Sequence, residues 1–270
     1  MALFSNSLET IRKLVSSTVG DLIKGTFSSG TTTTGADNML RQPDNYYSDH
    51  KYRCYIYDGT NIGSEREASG WTLSTHTLTF DPAFPVAIDN TSKYELRHIF
   101  TENELRRAIN LAIESLATGK YLIDKIDSSI VLVADTYEYT LPVGFSYIHR
   151  ITTEKEAGSN EFPAWATIDP RNWALISPRK LKLHEDYYTI TAGNDLRIEG
   201  QGRQASLATD TDVCYLPPDL VIAEAILRLP QSKIESNKLG GVYAQAHLNA
   251  DYYRRTERKY PDPRARRVVE

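Results

Sequence analysis

The sequence predicts an α+β protein: a helical bundle built from N-terminal, central and C-terminal helices, with antiparallel β-domains inserted between them. Three observations point there. The stretch from Thr101 to Ile123 carries helical periodicity behind a capping box. A second helical region occupies 219–258. Between and before them lie short alternating segments, broken by glycine and proline, that read as strands.

Taken in order, the first element is an amphipathic helix over 6–24. Asn6 and Glu9 form a possible capping box, and Leu8, Ile11, Val15, Val19 and Leu22 mark one face. Residues 25–37, GTFSSGTTTTGAD, are small and polar and read as a linker or arm. Residues 38–96 read as a small all-β unit. In it, Tyr52, Cys54 and Ile56 alternate with Arg53, Tyr55 and Tyr57, and Asp58–Gly63 forms a turn. The segment 64–69 is expected to return as a strand, and 71–80 to add another before Pro82 and Pro85.

The central helix belongs to 97–128. Thr101 and Glu104 cap it, and Leu105, Ala108, Ile109, Ala112, Ile113 and Leu116 recur at three- and four-residue steps. Gly119 is the expected stop. An antiparallel β-domain follows over 129–217, with strands expected near 130–141, 145–153, 181–183, 187–192, 196–199 and 213–216. The C-terminal helices fill 218–258: an apolar one to Leu229, a break at Pro230, and a last helix striped by Leu239, Val242, Tyr243, Ala246, Ala250 and Tyr253. Residues 259–270 form an extended basic arm, because Pro261 and Pro263 forbid a helix.

Composition narrows the function classes. The 270 residues are 40% hydrophobic with a net charge of −4, enough for a core and neutral enough to give no general pull toward nucleic acid or membrane. No apolar run of about 18 residues is present, so no spanning helix is expected. The N-terminus lacks the basic-then-apolar pattern of a secretory signal. The two cysteines, Cys54 and Cys214, support neither a disulfide framework nor a metal clip, which points to assembly in a reducing compartment. The 17 tyrosines suit half-buried strand faces.

No catalytic, cofactor or metal constellation stands out, and the chain is expected not to be an enzyme. His50, His76, His98, His149, His184 and His247 share no metal-ligand spacing. The turn Asp58–Gly63 lacks the Gly-Lys-Ser/Thr ending of a phosphate loop. Asp210 and Asp212 fit a solvated loop better than a cation site. The sharper feature is the basic end. From Arg254 to Glu270 there are seven basic residues and three acidic ones, a local +4. Pro261, Pro263, Arg264, Arg266, Arg267, Val268 and Val269 make a candidate docking arm: prolines limit the entropy lost on binding, arginines pair with carboxylates, and the valines anchor.

Several segments in succession resemble a known group. They are Met39–Tyr47, Gly59–Gly63 with Glu65 and Arg66, Thr77–Phe84, Leu105–Ile113 and Tyr137–Pro142, followed by the C-terminal helix and its Arg-rich, Pro-containing tail. Together they resemble the head-to-tail adaptor (connector, neck, head-completion) proteins of tailed bacteriophages. The resemblance implies a helical bundle with inserted β-structure and a homo-oligomeric ring, usually of twelve copies, beneath the portal. It implies that the C-terminal arm binds the portal protein. The opposite face would meet a tail tube, tail terminator or nozzle protein, and double-stranded DNA would pass transiently through the bore. Localisation would be the virion neck, after assembly in the host cytoplasm, with no membrane partner. The 38–96 unit departs from the small adaptors. Two other readings stand beside this one: a minor tail or receptor/carbohydrate-binding β-module using Trp71, Trp165 and Trp173, and a hydrolase with an acid pair the sequence does not reveal.

Overall fold

The computed structural model describes residues 4–118, 121–177 and 179–256, together with the backbone of Arg266–Arg267. In chain order the elements are β1 (Asn6–Ser7), α1 (Leu8–Thr18), β2 (Ile23–Thr26), β3 (Ser29–Gly30), β4 (Thr34–Ala36), α2 (Tyr46–Asp49), β5 (Arg53–Asp58), β6 (Glu65–Thr72), β7 (Thr77–Asp81), β8 (Lys93–Arg97) and α3 (Glu102–Thr118). They continue with β9 (Ile123–Val131), β10 (Glu138–Thr140), β11 (Tyr147–Thr153), β12 (Trp173–Ser177), β13 (Lys180–Leu183), β14 (Asp195–Gly202), β15 (Val213–Cys214), α4 (Pro218–Ile226), α5 (Gln231–Ser236), α6 (Gly240–Thr256) and β16 (Arg266–Arg267).

This overturns the expected helical bundle with inserted β-domains. The described residues form four antiparallel sheets, one of seven strands, accompanied by six short helices. The bundle reading gave the helical stripes the organising role, but strand pairing claims more of the chain. The segment 25–37, expected as a linker, illustrates why. It contributes part of β2 and all of β3 and β4 to the seven-stranded sheet, whose order is β2-β8-β5-β6-β7-β4-β3. Threonine is β-branched and suits a pleated surface, and Phe27 in this segment is buried.

The chain divides into two compact units. The larger comprises Asn6–Ala112 and Leu207–Thr256. Its β core gathers Phe27, Tyr47, Tyr52, Trp71, Phe80 and Tyr94. Phe27 stacks on Tyr94 with ring centroids 4.2 Å apart, and Tyr47 meets Trp71 edge-on at 5.1 Å. Aromatic pairs of this kind add to simple area burial. The Tyr94 hydroxyl donates to Asp37 at 2.6 Å. A Cβ on Gly25 would lie 2.4 Å from both the Asp37 carboxylate and the Tyr94 hydroxyl, so glycine is required there.

The helices of this unit have local causes. The Ser7 side chain caps α1 by accepting from the Thr10 N–H at 3.2 Å, a cap one residue beyond the expected Asn6. The helix ends earlier than expected, because Gly20 takes φ +74° and the N–H groups of Val19, Gly20 and Asp21 turn back to the last turn's carbonyls. At α3 the capping box forms: Thr101 N–H donates to Glu104 at 2.9 Å and Glu104 N–H to Thr101 Oγ1 at 3.1 Å. Helix α4 packs on both α1 and α6. Strand β1 pairs with β15, Asn6 opposite Cys214, which joins residues some 200 positions apart.

The smaller unit comprises Met1–Ser5, Ile113–Ser206 and Glu257–Glu270. It holds a four-stranded sheet, β16-β11-β14-β9, and a three-stranded sheet, β10-β13-β12. Their shared core includes Ile148, Ile151, Trp173, Leu181, Leu183 and Ile198. The expected strand at 187–192 does not form. Glu154 fixes the loop that follows β11: its carboxylate accepts the N–H groups of Gly158, Asn160 and Asp195. These bonds hold the Glu154 carboxyl below its usual range, the Asn160 N–H contributing most.

Candidate functional site

Two features of the larger unit stand out, one enclosed and one open. The enclosed one centres on Arg12. This residue is wholly buried on α1, next to Ile11. Its Nε and Nη2 each donate to the Glu95 carboxylate at 3.3 Å. Its Nη2 donates to Asp210 at 2.9 Å, and Nη1 donates to the other oxygen of the same carboxylate. Glu102 Oε1 lies 3.7 Å from Nη1, and the guanidinium stands 4.5 Å from the centre of the Tyr55 ring. Tyr55 in turn donates to Asp210 at 3.0 Å. Arg97 shares Glu95 as an ion-pair partner.

Burial and the neighbouring Arg12 charge lower the pKa of Arg97 to about 10. Burial raises that of Glu65, although the Glu102 N–H, donating at 2.9 Å, and Arg97 work against it. Helix α1, strand β8, the start of α3 and the loop before β15 are thus joined through one guanidinium. With Arg12 and Glu95 both at 0% exposure, the centre of the cluster is closed to solvent while Asp210 reaches its edge, and the cluster acts as a clamp within the unit.

The open feature is a groove of about 520 Å³ bounded by α1, α4 and α6. Leu14, Ile222, Ile226, Val242, Ala246 and Tyr253 supply its apolar wall, and Asp219, Gln245 and Asn249 a polar edge. Helix α6 buries only Ala246 and Ala250 among its 17 residues. Leu248 is 66% exposed and Tyr252 62%. Tyr252 stands two turns beyond Gln245, on the stripe that edges the groove. An ion pair from Arg254 to the fully buried Glu224 ties α6 to α4, and Arg228 also donates to Glu224, at 2.5 Å. Leu248 and Tyr252 thus leave an exposed apolar strip on the helix that borders the groove.

Most of the sequence-derived arm is not among the described residues. Pro261, Pro263, Arg264, Val268 and Val269 fall outside the described residues, as does Gly119. The backbones of Arg266 and Arg267 pair with β11, Arg267 opposite Tyr147 and Arg266 opposite Ile148. The histidines stay apart: His50 and His76 meet backbone carbonyls, and His98 meets Asp21. Among the described residues no group of three or more His, Cys, Asp or Glu is placed to hold a metal ion. Asp210 and Asp212 are both engaged, the first by Arg12 and the second by the N–H groups of Ala208 and Thr209. Of the three tryptophans considered for sugar stacking, Trp71 and Trp173 are core residues at 2% exposure; Trp165 is 75% exposed. The Trp71 indole N–H donates to the Gln42 carbonyl.

Sequence reasoning missed the Arg12 clamp and Glu224. Glu224 had a visible signal, a lone carboxylate inside the apolar run from Leu220 to Leu229. Arg12 had a weaker one, a cation flanking Ile11 on the apolar face of the first helix. No helix among the described residues is long and apolar enough to cross a membrane. Neither family models nor curated proteins provide a match to this chain.

Proposed function

We propose that this chain is a structural virion protein, a head-to-tail adaptor whose copies form a ring between portal and tail through which the genome passes. The observation that carries the reading is the exposed face of α6. A 17-residue helix that buries two alanines and presents Leu248 and Tyr252 beside an apolar groove is an incomplete surface, and a second copy of the chain completes it. The Arg12 clamp supports the same reading, because it stiffens the body that carries that face. The segments that carry the adaptor resemblance belong to the framework: Glu65 accepts from Glu102, and Leu105, Ala108 and Ile109 are buried on α3. The reading does not depend on the helical bundle, which the fold replaces with sheets. In this proposal the portal protein and a tail tube, terminator or nozzle protein are the unlike partners, and the arm from Pro261 to Val269 contacts the portal.

The test is the mass of the purified protein, alone and mixed with portal, by native mass spectrometry and low-resolution imaging. A closed ring, alone or on the portal, is the expected result. A protein that stays monomeric under both conditions overturns the proposal.

A further inference from the structure

We propose that the free edge of β9 pairs antiparallel with β9 of a second copy, about a two-fold axis at Ile126. Such a contact is isologous, so it is separate from the head-to-tail contacts of a ring and does not rest on that reading. Strand β9 is the last strand in the sheet β16-β11-β14-β9, and among the described residues it pairs with β14 alone. From Ile123 to Asp127 the register against β14 runs without interruption, Ile123 opposite Gly202 and Asp127 opposite Ile198. The bulge comes after that, between Asp127 and Ile130. A regular edge presents a row of backbone N–H and C=O groups to any strand that fits. Ile126 stands within this stretch and is 67% exposed.

Charge complementarity selects both the occupant and the register. Lys125 and Asp127 flank Ile126 and share the opposite face of the strand. Among the described residues Lys125 has no ion-pair partner, and Asp127 is engaged only by Ser129 of its own strand, through Oδ1. In an antiparallel pair centred on Ile126, Lys125 stands opposite Asp127 of the second copy, and Asp127 opposite its Lys125. One contact thus yields two opposite-charge pairs, while Ile126 meets Ile126 of the second copy on the other face. Moving the axis destroys this. Centred on Lys125, lysine opposes lysine; centred on Asp127, aspartate opposes aspartate. Centred between Lys125 and Ile126, Asp124 opposes Asp127 twice; centred between Ile126 and Asp127, each charge faces an uncharged residue. A lysine on a sheet edge ordinarily discourages pairing. Here one register neutralises it, so the charge that rejects other strands admits this one. The Lys125 stem is flexible, and its ammonium, now beside Gly144, swings to the edge as the pair forms.

The experiment uses the full chain. Ile126→Cys places one new thiol on the axis, and directly opposed residues of antiparallel strands come close enough for a disulfide. The native Cys54 and Cys214 are fully buried and stay out of the reaction. Mild oxidation is expected to give a covalent dimer from Ile126→Cys on a non-reducing gel, and none from Ser128→Cys, whose position faces Asp124 in this register. No dimer from Ile126→Cys, or equal dimer from both variants, overturns the proposal. The charges are tested in the Ile126→Cys background. Adding Lys125→Glu makes both cross-strand pairs repulsive and lowers the yield of dimer about tenfold, and adding Asp127→Lys does the same. Mixing the two charge variants restores the yield, because each supplies the charge the other lacks. A mixture of folded variants that stays uncoupled overturns the proposal; should Asp127→Lys unfold, the comparison of Ile126→Cys with Ser128→Cys decides it. Native mass is read in parallel. A ring without the covalent dimer overturns this pairing and leaves the ring reading intact, and the covalent dimer without a ring supports the pairing and overturns the ring.

Discussion

Replacing Arg12 by methionine removes one guanidinium and leaves the acids around it in place. Methionine keeps an unbranched, flexible stem, so little packing is lost. What changes is the charge balance. Glu95, at 0% exposure, loses two bonds of 3.3 Å and retains Arg97 and the more distant Lys13 at 3.9 Å. Asp210 is 11% exposed and can turn towards water, whereas Glu95 has no such route. Breaking a buried pair by removing one partner costs about 3–5 kcal/mol. At a urea m-value of about 2 kcal/mol/M the midpoint falls by about 2 M. Urea unfolding read by pulsed hydrogen exchange at Lys93–Arg97 isolates the larger unit from the smaller. Adding Glu95→Gln to Arg12→Met removes the stranded charge and is expected to recover part of the loss. A midpoint shift below about 0.3 M, or no recovery in the double variant, would refute the clamp.

Other expectations follow from the same geometry. Glu154→Gln loses a carboxylate that three backbone N–H groups stabilise. Because the folded pKa is held below the ordinary glutamate value, the wild-type advantage is full above that value and is lost as pH falls through the depressed pKa. Urea midpoints of both proteins at pH 7 and in acid check the sign. Gly202→Ala places a Cβ 1.7 Å from the Gly144 carbonyl oxygen, so backbone must move and a loss of about 1–3 kcal/mol is expected in thermal unfolding. Tyr252→Asp together with Leu248→Asp leaves the melting temperature near wild type, since both side chains are exposed, and shifts native mass from ring to monomer. Deleting Asp262–Glu270 leaves the fold intact and weakens binding to portal in a pull-down; a large fall in melting temperature would contradict it.

Local pattern was legible in the sequence. Periodicity gave α3 its buried residues Leu105, Ala108 and Ile109, and Thr101 with Glu104 gave its capping box. Alternation found β5, and the break at Pro230 separates α4 from α5. The candidate site was far less legible. The arm was readable as charge and proline, but the groove was not, because it exists only where α1, α4 and α6 meet. Arg12 was passed over because its partners sit 83, 90 and 198 positions away, at Glu95, Glu102 and Asp210.

The sequence by itself therefore determined the strongly periodic elements, such as α3 and β5, and which of their faces were apolar, since those properties repeat every two or 3.6 residues and need no distant neighbour. Tertiary structure decided the rest. It drew the threonine-rich 29–36 segment into a seven-stranded sheet, set β1 beside β15, and converted Arg12 and Glu224 from isolated charges into fasteners. Strand pairing and the stabilisation of a buried charge both depend on groups remote in sequence, and no local period records where those groups will come to lie.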